Sequence, residues 1–124
     1  MKIYKCAHCG NMIEYVKDNG VKVVCCGEPM KEITPNSTDA AVEKHVPVVT
    51  KKCNTLTVTV SSVEHPMTEE HYIEWVKVKT NLGEYHKTLA PNTPPVVSFN
   101  LQKGETVELV LAYCNLHGLM KKKI

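Results

Sequence analysis

Four of the six cysteines in this chain of 124 residues fall within its first 26 positions, as Cys6-x-x-Cys9 and the adjacent pair Cys25-Cys26, and nothing else constrains its folding as strongly. Four thiolates close a tetrahedral shell around one zinc or iron ion. The first pair has knuckle spacing, and Gly10 permits the tight turn that aims backbone N–H groups at sulfur. The second pair is less usual. Neighbours on a strand point to opposite faces, so both can reach one ion only if the backbone turns there, and Gly27 is placed to allow it. Residues 1–35 hold too few apolar side chains to fold unaided, which makes a metal staple a physical necessity. Within this unit, Asn19-Gly20 between Ile13–Lys17 and Val21–Val24 predicts a hairpin. His8, inside the knuckle, reads as an exposed side chain and not a ligand.

The N-terminus lacks an apolar stretch of signal-peptide length and no later segment is long enough to span a membrane, so the expected compartment is the cytoplasm. Thiols stay reduced there, which favours metal ligation over disulfides. A charged fraction of 23%, an apolar fraction of 43% and a net charge of +2 suit a soluble globular chain. They argue against a nucleic-acid domain, which carries a concentrated basic face. Lys121, Lys122 and Lys123 read as a solvated tail.

Pro35-Asn36-Ser37-Thr38-Asp39 has linker composition and separates a first domain, 1–35, from a second, 36–124. From Val46 onward the pattern is β. Leu56 to Val60 alternates strictly, Val107, Leu109, Leu111 and Tyr113 are expected to share one face, and further runs cover Tyr72–Thr80, Glu84–Leu89 and Val96–Leu101. Asn81-Leu82-Gly83, the segment 91–95 and Lys103-Gly104 punctuate them. About six or seven strands at this spacing predict a mainly β protein whose second domain is an immunoglobulin-like β-sandwich. A single helical turn is expected around Asp39–Lys44.

A second constellation lies in the sandwich: His45, then His65 and His71, then Cys114 with His117. A lone histidine carries little weight. These five sit at strand ends or in loops, where a rigid scaffold can present several ligands to one point. Four neutral imidazoles and one thiolate suit redox iron and leave a sixth octahedral position for substrate. Such a site keeps a net positive charge in both ferrous and ferric forms and so favours small anions. Its thiolate donates electron density to the metal. Cys53 reads as a small buried hydrophobe and His86 as a surface residue.

Both constellations resemble known motifs. Tyr4-Lys5-Cys6-Ala7-His8-Cys9-Gly10 and Val24-Cys25-Cys26-Gly27-Glu28-Pro29-Met30 are similar to desulforedoxin, whose four cysteines hold one iron. Glu43-Lys44-His45-x-Pro47, His65-Pro66-Met67-x3-His71-Tyr72-Ile73-x-Trp75 and Cys114-Asn115-x-His117-Gly118 resemble the superoxide reductase motifs. Together they cover nearly the whole chain in the order of the desulfoferrodoxin family, a desulforedoxin-like domain followed by a superoxide reductase domain. The resemblance implies two iron ions per chain: one held by Cys6, Cys9, Cys25 and Cys26, where zinc is a substitute, and one held by His45, His65, His71, His117 and axial Cys114. It implies that Glu43 occupies the sixth position in the ferric state and that Lys44 is the cation beside the open position. It further implies one-electron reduction of superoxide to hydrogen peroxide without dioxygen release, rubredoxin as electron donor, and a homodimer.

Two rivals remain on the residues alone. Cys114-x-x-His117-x-x-Met120 with one upstream histidine would make a blue-copper electron-transfer site, but it leaves the other histidines and the first cysteine cluster unused. A zinc-stabilised nucleic-acid module would need a face that interleaves aromatic and basic residues, and neither face of the sandwich is expected to offer one.

Overall fold

The computed structural model describes residues 1–35, 47–60 and 66–124. The expected helical turn at Asp39–Lys44, most of the linker, and Glu43, Lys44, His45 and His65 lie outside the described residues. No helix occurs among those described, and none is long and apolar enough to cross a membrane. The chain divides into two compact units, Met1–Thr34 and Pro35–Ile124.

The first unit is built from very short strands: β1 (Tyr4–Lys5), β2 (Met12–Ile13), β3 (Val24–Cys25), β4 (Glu28–Pro29) and β5 (Lys31–Glu32). They form a three-stranded sheet in the order β2-β1-β5 and a separate β3-β4 pair. Ile3, Cys6 and Met30 are its buried apolar residues, a core too small to outweigh chain entropy without a staple. The hairpin expected around Asn19-Gly20 does not form. The turn itself is present, with the Gly20 N–H donating to Asp18 Oδ1 at 2.8 Å, but β2 pairs with β1 and β3 with β4. Val16 and Val21 on its two sides are exposed, so no buried face registers the strands.

The second unit contains β6 (Pro47–Lys52), β7 (Thr55–Val60), β8 (Ile73–Thr80), β9 (Glu84–Thr88), β10 (Val96–Asn100), β11 (Val107–Cys114) and β12 (Gly118–Lys123). They make two antiparallel sheets, β10-β7-β6 and β12-β11-β8-β9. Inward residues of both sheets, among them Leu56, Val58, Val76, Val78, Phe99 and Val110, form one apolar core. This is the expected β-sandwich, each fully buried aliphatic side chain stabilising it by about 1.5–3 kcal/mol.

Three local expectations are corrected. A register shift between Val107 and Leu109 breaks the alternation of β11, so Val107 packs against the core with Val110 and Ala112 while Leu109, Leu111 and Tyr113 face outward. Cys53 is exposed, not buried. It starts the two-residue loop between the paired Lys52 and Thr55, with φ of +54°. Lys121–Lys123 end strand β12 instead of forming a solvated tail, and the outer face of its sheet does interleave lysines with aromatic rings.

Glu105 lies at the Thr80 end of β8 and is only 1% exposed. Its carboxylate accepts hydrogen bonds from the Thr80 hydroxyl, from the Tyr85 hydroxyl at 2.8 Å and from the Gln102 N–H at 2.8 Å. The Thr80 hydroxyl, then the Gln102 N–H, hold its pKa below the ordinary carboxylate value. This network ties the loop after β10 to the β8–β9 hairpin.

Candidate metal centres

In the first unit the sulfurs of Cys6, Cys9, Cys25 and Cys26 all lie within 4.8 Å of one another, and those of Cys9 and Cys25 are 3.5 Å apart. A metal–sulfur bond of about 2.3 Å in a tetrahedron sets sulfur–sulfur edges of about 3.8 Å, so the cluster has the size such a shell requires. The backbone explains the convergence. Gly10, at φ +81°, closes the knuckle by donating its N–H to Cys6 O at 3.1 Å, and the N–H groups of His8 and Cys9 point at Cys6 Sγ from 3.4 and 3.5 Å. At the other pair, Cys26 (φ +51°) and Gly27 (φ +78°) form a two-residue turn between β3 and β4, which brings adjacent side chains to one point.

The electrostatics match the role. The N–H groups of Cys9 and then His8 lower the Cys6 thiol to about 6. Cys26, crowded by Cys9 and Cys6, is pushed up to about 12, and Cys25 is raised by the same two neighbours. Four thiols this close cannot all ionise without a cation among them, and a bound cation reverses that logic. His8 is exposed as expected and pairs with Glu28, Nε2 to Oε2, at 3.1 Å.

In the second unit His71, Cys114 and His117 form a group within 4.8 Å. His71 Nε2 lies 3.2 Å from His117 Nδ1, and Cys114 Sγ lies 3.7 Å from the same nitrogen. Each arrives by a different device. Cys114 ends β11, where a register shift against Ile73 bends the strand. His117 follows in the turn to β12. His71 is fixed by a loop in which its N–H donates to Thr68 Oγ1 at 3.1 Å while the Thr68 N–H donates to His71 O at 2.9 Å. Burial raises the Cys114 thiol, opposed by the N–H groups of His117 and Leu116, so this sulfur becomes a thiolate readily only beside a cation. A sulfur and two imidazole nitrogens facing one point fit a transition-metal ion of intermediate softness. Met120, the thioether a copper site would use, packs fully buried in the apolar core.

Asn115 escaped notice as a functional residue. Its Oδ1 accepts the Tyr72 N–H at 3.0 Å and its Nδ2 donates to Glu70 O at 2.9 Å, bolting the Cys114 loop to the His71 loop. The only sequence signal was its place between two candidate ligands.

Comparison with known proteins agrees with both units. Residues 37–123 match the family model described as desulfoferrodoxin, and residues 1–33 match that of the desulfoferrodoxin N-terminal domain. This chain belongs to the desulfoferrodoxin family. The desulfoferrodoxin of Nitratidesulfovibrio vulgaris is 46% identical over 97% of this chain and 94% of its own length. The crystal structure of the superoxide reductase from Treponema pallidum superposes with a TM-score of 0.82 at 33% identity, covering 98% of this chain and 96% of that one. A superoxide reductase from Giardia intestinalis, also 33% identical, covers 66% of this chain and 97% of its own with a TM-score of 0.57.

Proposed function

We propose that this protein is a superoxide reductase that converts superoxide, one electron and two protons into hydrogen peroxide without releasing dioxygen. The observation that carries the reading is the convergence of His71, Cys114 and His117 in a chain whose length is almost entirely matched by a superoxide reductase structure. We assign His45 and His65 to the same ion, which they would hold together with His71, His117 and Cys114. Iron bound there would supply a one-electron couple at a position open to small anions. The chain's own part is to hold five donors rigid, to keep the thiolate dry within the sandwich end, and to manage charge beside the open position. Lys44 supplies a positive field that draws the anionic substrate, and Glu43 would help hold the ion in its oxidised state.

Cys6, Cys9, Cys25 and Cys26 hold a second ion, iron in our reading with zinc able to replace it. The reductant is a rubredoxin-like carrier. Six free thiols suit a reducing compartment, so we place the protein in the cytoplasm, as a homodimer that removes superoxide.

The test joins two measurements. Metal analysis should find close to two irons per chain, and anaerobic addition of superoxide to the reduced protein should yield peroxide with no dioxygen. Dioxygen released in step with peroxide would mean dismutation and would overturn the assignment.

A further inference from the structure

On the outer face of the sheet β12-β11-β8-β9, cross-strand register fixes an ordered array. Trp75 lies opposite Tyr113, and Lys77 lies opposite both His86 and Leu111. Leu111 in turn faces Lys121, and Leu109 lies between Lys79 and Lys123. Leu109, Leu111 and Tyr113 are buried although they point away from the core, while His86, Lys121 and Lys123 beside them are exposed. Lys77 and Lys79 on one side of β11 and Lys121 and Lys123 on the other thus form two rows along it. Glu84, opposite Lys79, pairs with Lys77 at 3.4 Å.

Aromatic rings run through the same face. Exposed His86 lies against Trp75 with ring centroids 5.9 Å apart, and Trp75 stacks on Tyr113 at 5.9 Å and 10°. Tyr113 is bonded to Cys114 through the backbone. Nothing in the assigned ligand sets uses His86, Trp75 or these lysines.

We infer that this face is the electron-entry surface, where an acidic one-electron carrier protein docks over His86 and the lysine rows and reduces the second site along His86, Trp75, Tyr113 and Cys114. The inference rests on the function proposed above. One electron leaves the reduced carrier, which is oxidised, and arrives at the metal ion held by Cys114, which is reduced; no atom is transferred. Opposite charge selects an acidic partner and speeds its encounter.

Trp75 is the single tryptophan of the chain, so its fluorescence reports on this face directly. The probe is zinc-loaded rubredoxin of net negative charge, which is redox-silent and separates docking from transfer. Titrated into the full chain at low salt, it should quench Trp75 saturably, with affinity falling as salt rises. The double variant Lys79→Glu, Lys123→Glu should bind at least tenfold more weakly, whereas Lys52→Glu on the opposite sheet should bind as wild type does. Trp75→Leu should slow reduction of the oxidised protein by iron-loaded rubredoxin, with docking then followed by backbone amide NMR shifts. Equal binding by wild type and the double variant would overturn the surface. So would no binding at low salt, or stronger quenching by a single-stranded oligonucleotide than by the acidic protein. Superoxide consumption by chemically pre-reduced wild type is measured alongside, and its failure would count against the proposed function instead.

Discussion

The side chain of Asn115 holds Tyr72 by its backbone: Oδ1 accepts the Tyr72 N–H at 3.0 Å, and the Asn115 N–H donates back to Tyr72 O at 3.3 Å. Tyr72 follows His71 and Asn115 follows Cys114, so this pair sets the distance between two candidate ligands. Asn115→Ala should weaken metal binding at the second site by about tenfold, the usual cost of losing a group that orients a ligand. Metal at the four-cysteine site should be unaffected. Chelator competition with the two sites resolved by their spectra gives the comparison, and equal affinity in the variant would remove the positioning role.

The Glu105 network makes stability depend on pH in a defined direction. Its folded pKa lies below its unfolded value near 4.5, so the stabilisation is complete above that value and is lost as pH falls through the folded pKa. The melting temperature should therefore drop in acid below about pH 4.5. Glu105→Gln should melt lower than wild type at neutral pH and show a shallower acid dependence. Parallel acid slopes in the two proteins would place the titrating group elsewhere.

Gly27 has φ of +78° and an added Cβ there would meet no atom within 4 Å. The cost of Gly27→Ala is thus conformational, about 1–2 kcal/mol for a left-handed residue, or roughly a tenfold loss of affinity at the first site. Cys9→Ser should go further and remove that metal while leaving superoxide reduction by pre-reduced protein largely intact. Loss of the reaction with the second metal still bound would show the two sites to be interdependent.

Lys44 is assigned to attract the substrate and Glu43 to the oxidised state. Lys44→Ala should slow the second-order reaction and flatten its dependence on ionic strength, because steering of an anion by a cation is screened by salt. Glu43→Ala should leave that rate nearly unchanged and alter the spectrum of the oxidised protein. Stopped-flow rates across a salt series decide it: equal slopes for wild type and Lys44→Ala leave no steering.

Much of this was legible because ligand chemistry is written in residue type and spacing. The knuckle at Cys6 and Cys9, the turn demanded by Cys25-Cys26, and the alternation of Leu56–Val60 each follow from local geometry. What was not legible depended on long-range register. The burial of Leu109 and Leu111 outside the core needs a bulge that no composition announces, and the exposure of Cys53 depends on where two strands choose to turn. Asn19-Gly20 signalled a turn correctly yet no hairpin, since a hairpin also needs a buried face. His71, Cys114 and His117 lie within 4.8 Å of one another, whereas the roles of His45, His65, Glu43 and Lys44 rest on resemblance.

The position of β12 at the end of its sheet has a consequence for how concentrated this protein can become. Among the described residues β12 has a hydrogen-bonded neighbour on one side only, and an edge strand invites the same strand of another molecule to add on. Here three consecutive residues of that strand are Lys121, Lys122 and Lys123. Two such strands brought side by side would set their ammonium groups against each other at every position, so intermolecular sheet growth from this edge is repelled. Replacing the three lysines with neutral β-formers would open a path to fibrous aggregation while leaving both metal centres intact.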